Sequence, residues 1–182
     1  MTELEPRLPA DALSPGVSGD GPLDQAIADF AAAVVRARTV DPMITELVRL
    51  RCAAIHDCRL CASVRSQDAL AEGFDESVRR KIADYEHSDF DPAAVAALRL
   101  CDMMILTPSL AGAELKLELV RHFSPEQIAE IVLDVMKWSQ QKALVALRLE
   151  TPPWEGTRVL TFDHEGRPGF GGPAYGGDDI GP

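Results

Sequence analysis

Three of the apolar-periodic runs in this chain open on a helix-capping residue followed directly by proline: Asp41-Pro42, Asp91-Pro92 and Ser124-Pro125. Such a pair is a start signal for an α-helix. The capping side chain accepts a free N–H of the first turn, and proline's fixed φ suits the first helical position, where no N–H is needed. The third signal is the strongest, because Gln127 completes a capping box with Ser124. Apolar residues recur between these signals at three- and four-residue spacing, and only 5% of the chain is aromatic, so the pattern predicts an all-α fold.

The helices follow in order. Leu23, Ile27, Phe30 and Val34 predict a first helix over 23–38, and Asp41-Pro42 opens a second running to about Ile55. Asp57 reads as the N-cap of a third, from Cys58 to a stop at Gly73. Asp75 caps a short fourth over 76–85, Asp91-Pro92 begins a fifth to about Leu106, and 113–122 form a sixth. A seventh extends from Pro125 to about Leu149, buried along Ile131, Val135 and Trp138. Residues 1–22, with four Pro and three Gly, read as an extended or disordered arm, which leaves 23–150 as the helical domain. The segment 151–182 is a Gly/Pro-rich tail, with 13 such residues in 32. Its Trp154, Phe162, Phe170 and Tyr175 call for cover by the domain or by a neighbouring subunit, and Arg158–Phe162 could form one short strand.

A length of 182 residues with 46% hydrophobic content is enough for one ordinary core. The net charge of −11 makes nucleic acid and anionic membranes poor partners. No stretch nears the roughly 20 apolar residues of a membrane span, and the first residues lack the pattern of a signal peptide. The expected compartment is the cytoplasm. There, Cys52, Cys58, Cys61 and Cys101 are poor candidates for a static disulfide framework.

Cys58 and Cys61 stand three apart at a predicted helix start, close enough to close a disulfide. Free N–H groups at that end favour thiolate, and Arg65, four residues beyond Cys61, adds charge on the same expected face. A proton carrier is still required, for which Glu46 on the preceding helix and His56 are the local candidates. Inert structural cysteines remain an alternative, as does a metal site if Cys52 or His56 joined the pair. Cys52 and Cys101 read as small core residues.

Glu46, a twelve-residue step to Cys58, and then Cys58-Arg59-Leu60-Cys61 resemble the motif of alkylhydroperoxidase D (AhpD) and the carboxymuconolactone decarboxylase-like proteins. The flanking runs Glu46-Leu47-Val48-Arg49-Leu50-Arg51 and Phe123-Ser124-Pro125-Glu126-Gln127 are similar to the same family, over about Leu23 to Leu149. The resemblance implies an AhpD-like bundle of about six or seven helices that assembles as a homo-oligomer, a trimer or hexamer. It also implies a thiol-dependent peroxidase or disulfide oxidoreductase that uses no cofactor or metal. Cys61 would attack the peroxide substrate, Cys58 would resolve the sulfenic acid as a disulfide, and a dithiol electron donor would restore the pair. Glu46 matches the family's proton-relay carboxylate. The family usually places a histidine four residues after the second cysteine. This chain has Arg65 there, which can hold a thiolate by charge but does not shuttle protons. A non-catalytic helical oligomer and a decarboxylase-like enzyme are the alternatives the same resemblance allows.

Overall fold

Each cap-and-proline signal opens a helix of 15 residues. The computed structural model describes residues 21–148 and 150–175. In chain order the helices are α1 (Pro22–Val34), α2 (Pro42–His56), α3 (Arg59–Ala62), then after a first strand α4 (Gln67–Ala71), α5 (Glu76–Lys81), α6 (Pro92–Leu106), α7 (Ala113–His122), α8 (Pro125–Ser139) and α9 (Lys142–Leu147). The strands are β1 (Val64–Ser66), β2 (Arg158–Phe162) and β3 (Pro168–Pro173). The expected arm over 1–22 lies outside the described residues except for Gly21 and Pro22.

The caps work as their chemistry requires. Asp41 accepts from the Met43 N–H at 2.7 Å, Asp91 from the Ala93 N–H at 2.8 Å, and Ser124 and Gln127 close a reciprocal box. The three long helices α2, α6 and α8 then pack on one another around Val48, Cys52, Ala97, Cys101, Ile131 and Val135. A second apolar cluster, with Leu47, Leu98, Phe74 and Tyr85, joins α2 and α6 to the short helices between them. Cys52 and Cys101 sit in the first core with their sulfurs 3.5 Å apart. No helix among the described residues is long and apolar enough to cross a membrane.

The predominantly helical fold expected from the sequence is observed, with one addition and several corrected boundaries. The addition is a three-stranded sheet of order β1-β2-β3, in which β1 pairs parallel with β2 and β2 antiparallel with β3. The third helix, expected as one piece over 58–73, is broken into α3, β1 and α4. Arg158 N–H donates to the Ser63 carbonyl at 2.9 Å, and Val64, Arg65 and Ser66 align with Arg158, Val159 and Leu160. A partner strand more than 90 positions away thus overrides a local helical preference, which is worth only tenths of a kcal/mol per residue, about 0.7 at most for ordinary residues. The first helix ends at Val34 rather than near Arg38, and the fourth passes at Ile82 into a 3-10 segment. The seventh is interrupted after Ser139, whose hydroxyl turns to His56, and resumes as α9.

The tail segment is part of this architecture, since β2 and β3 both come from it. Its hairpin turn holds Gly166 at φ 82°, against α1. A Cβ there would lie 2.5 Å from the Ala32 carbonyl oxygen, so the turn requires glycine both for its backbone angle and for its close approach.

Candidate active site

Only Asp57 and Cys58 separate α2 from α3. Asp57 adopts the left-handed conformation (φ 54°), its N–H donates to Ala54, and the Cys58 N–H donates to Ala53 at 2.9 Å, which is a Schellman C-cap. Asp57 therefore ends α2 and is not the N-cap of the next helix, as the sequence suggested. Cys58 itself takes that place, its sulfur accepting from the Cys61 N–H at 3.3 Å. A helix of four residues has little macrodipole, and this single N–H is the local donor to the Cys58 sulfur.

Cys58 and Cys61 are joined as a disulfide with their Cα atoms 5.3 Å apart. Both are buried, Cys61 somewhat less so at 8% exposure against 2%. Glu150, at the end of the helical domain, and the tail beyond it hold this loop in place. Glu150 accepts the Leu60 N–H through its carbonyl and pairs its carboxylate with Arg59, while the Trp154 indole N–H donates to the Ser63 hydroxyl at 3.1 Å.

Beneath the disulfide lies a buried ion pair. Glu46 and Arg49, one and two per cent exposed, meet in bidentate fashion at 2.7 Å through Nε and Nη2. Ser66 N–H donates to the same carboxylate at 3.1 Å. Arg49 spends its other hydrogens on the carbonyls of Cys61 (2.8 Å) and Val64 (2.6 Å). Glu46 was expected as a proton relay, but its carboxylate is committed to a guanidinium and an amide. The structure links it to Cys61 through Arg49, whose hydrogen bonds fix the backbone of α3 and β1.

Arg65 is likewise displaced from its expected place. It lies on β1 instead of on the helical face of Cys61, and its guanidinium turns to Glu76 at 2.6 Å and to the carbonyls of Ala62 and Val64 at 2.7 Å. Burial pushes the Glu76 carboxyl up, but Arg79 and Arg65 outweigh it and hold it below the usual carboxylate range. His56 bonds Ser139 at 3.1 Å, and burial, helped by Lys142, lowers its pKa, so the ring is neutral at pH 7. No group of three or more His, Cys, Asp or Glu side chains suited to a metal occurs among the described residues.

Cys61 borders an apolar pocket of about 190 Å³. Leu60, Trp138, Leu160, Phe162 and Phe170 line it, so the tail's hairpin supplies one wall. Cys58 borders a separate hollow, rimmed by Asp57, Arg59, Arg79 and Arg80. Sequence reasoning missed two charged residues near the first pocket. Lys137 lines it and is 7% exposed, its ammonium nitrogen 2.7 Å from the centroid of the Trp138 ring. Burial holds this amine well below the usual lysine range, and Arg49 pushes it the same way, against Asp134 and Cys52. Asp134, also buried, is pushed up to about 7, by burial first and by Glu130 second. A signal was present in the sequence: Glu130, Asp134 and Lys137 recur at helical spacing beside the apolar stripe of Ile131, Val135 and Trp138.

The chain has an AhpD-like helical fold, and it carries a Cys-x-x-Cys disulfide against a buried Glu-Arg pair. A crystal structure of a protein of unknown function from Agrobacterium tumefaciens, proposed to be the antioxidant defence protein AhpD, superposes with a TM-score of 0.63. That match covers 75% of this chain and 95% of the other at 17% identity, and so shows a shared fold. In sequence, the chain is 36% identical over 144 residues to an uncharacterized protein of Mycobacterium tuberculosis, present in strains CDC 1551 and H37Rv. The alignment takes in 78% of this chain, which spans about half the length (51%) of those curated relatives. No protein-family model matches the chain.

Proposed function

We propose that the chain is a thiol-dependent peroxidase or disulfide oxidoreductase working through Cys58 and Cys61. The observation that carries this reading is the disulfide between two cysteines whose surroundings differ, Cys61 bordering an apolar pocket and Cys58 an arginine-rimmed hollow. In the cycle, the Cys61 sulfur attacks a peroxide, the O–O bond breaks, and an alcohol or water leaves as Cys61 becomes a sulfenic acid. The Cys58 sulfur then displaces water from it to form the disulfide. A dithiol donor returns both thiols and is itself oxidised, so one peroxide consumes one dithiol. The apolar lining of the pocket favours an organic peroxide over hydrogen peroxide.

Glu46 acts here as a positioning residue, through Arg49, and Arg65 as a brace between β1 and α5. The Cys61 N–H prepares Cys58 as the resolving thiolate. A cytoplasmic setting, where dithiol donors are plentiful, suits such a cycle. Leu106, Leu110, Leu117 and Val120 are each more than half exposed at the α6–α7 end, and a homo-oligomer would cover them.

Replacing Cys61 with serine tests the reading. The expected result is loss of peroxide-dependent oxidation of an added dithiol. Turnover equal to that of the unaltered chain would overturn it.

A further inference from the structure

Three side chains with a titratable nitrogen or sulfur border the same apolar pocket: Cys61 from α3, Lys137 from α8, and Arg49 from α2, whose guanidinium is held by Glu46 and by two carbonyls. Burying an amine is costly, and a structural lysine normally offsets the cost with a carboxylate partner. Lys137 has no carboxylate at ion-pairing distance among the described residues. Its nitrogen lies instead over the Trp138 ring and 5.4 Å from the Phe162 ring, in a wall shared with the thiol. The side chains that were candidates for moving the thiol proton are otherwise engaged, Glu46 with Arg49 and His56 with Ser139.

We propose that Lys137 is a catalytic residue, the base that takes the Cys61 thiol proton and the acid that returns it to the oxygen leaving the peroxide. The proposal rests on the peroxidase reading above and adds the residue that performs its proton transfers. In the reduced protein the neutral amine accepts the proton, giving a thiolate beside an ammonium. The thiolate attacks the peroxide oxygen, and the O–O electron pair departs with the alkoxide. The ammonium protonates that alkoxide, so an alcohol leaves and the amine is neutral again for the next turn. The lowered pKa of Lys137 suits this exchange, because a less basic amine gives back the proton it has accepted more readily. Burial sets it first, then Arg49 on α2, Asp134 on α8 and Cys52 on α2; Glu130 acts in turn on Asp134, and Cys61 faces the amine across the shared pocket.

The test measures alkylation of Cys61 by iodoacetamide against pH in the reduced full chain, located by peptide mass, together with turnover of cumene hydroperoxide. Lys137→Met is expected to move the alkylation midpoint up by at least one pH unit and to lower turnover at pH 7 at least tenfold. Lys137→Arg, permanently charged, is expected to keep alkylation fast while turnover falls as far, a split that a merely structural lysine would not produce. In Lys137→Ala, added propylamine should restore turnover in proportion to its free-base concentration. A Lys137→Met protein with the alkylation profile and turnover of the unaltered chain overturns the proposal and leaves the dithiol reading intact. An unaltered chain that cumene hydroperoxide does not oxidise, yet whose alkylation still depends on Lys137, sinks the peroxidase reading and spares the proton coupling.

Discussion

The α2–α6–α8 core and the layer around the disulfide are built by opposite means. In the core, residues such as Leu98, Ile131 and Val135 are nearly fully buried and need only apolar neighbours. In the site layer the elements are three to six residues long, and what holds them is polar. Arg49 bonds two carbonyls and a carboxylate, Glu150 ties down α3, and a strand from the tail pairs with β1. The two regions meet along α2 and α8, each of which turns one face to each. The apolar packing lies in the first region, and buried charges such as Glu46, Arg49 and Arg65 are desolvated in the second, at a cost the first must offset.

The largest effect should come from breaking the buried pair on which the site layer rests. Arg49→Met leaves the Glu46 carboxylate buried without its cation and frees the Cys61 and Val64 carbonyls. Chemical denaturation should show a loss on the order of 3–5 kcal/mol, with the alkylation rate of the reduced cysteines altered as α3 loosens. A loss within ±0.5 kcal/mol would mean that the pair does not organise the site.

Asp134 should show the cost of the site directly. The unfolded carboxyl releases its proton at about pH 4, whereas the folded one holds it to about 7. The folded state thus binds the extra proton in that interval, and its stability falls as pH rises from about 4 to about 7. Asp134→Asn should remove that slope and stabilise the protein at pH 8 by up to roughly 4 kcal/mol. Parallel stability–pH curves for the two proteins would contradict the assignment.

A smaller effect is expected at Gly166. Alanine there is strained by its φ and collides with Ala32, at a cost of roughly 1–3 kcal/mol. Hydrogen exchange should show the loss confined to β2, β3 and α1, with α6 unchanged, and Cys61 should alkylate faster as one wall of its pocket lifts. A uniform loss over all helices would mean that the tail hairpin and the core form one cooperative unit.

The same contrast explains what the sequence revealed. The long helices were legible because each carries its own start signal and apolar stripe, as Ser124 and Gln127 show. The cysteine pair and Glu46 were legible from their spacing. β1 was not, because Val64–Ser66 becomes a strand only through Arg158–Leu160, far along the chain. Arg49 reads locally as an ordinary i,i+3 partner of Glu46, and nothing in that spacing says that both are buried. Lys137 stands in the last turn of α8, where a cation complements the helix dipole and reads as solvent-facing. Its burial depends on Phe162, which the tail delivers.

The measurement that bears most directly on the account is a thiol count on the reduced chain before and after one equivalent of cumene hydroperoxide, with the oxidised cysteines located by peptide mass. The account predicts a Cys58–Cys61 disulfide that a dithiol reverses, with Cys52 and Cys101 still free. Thiols unchanged by the peroxide, or oxidation falling on Cys52 and Cys101, would contradict it.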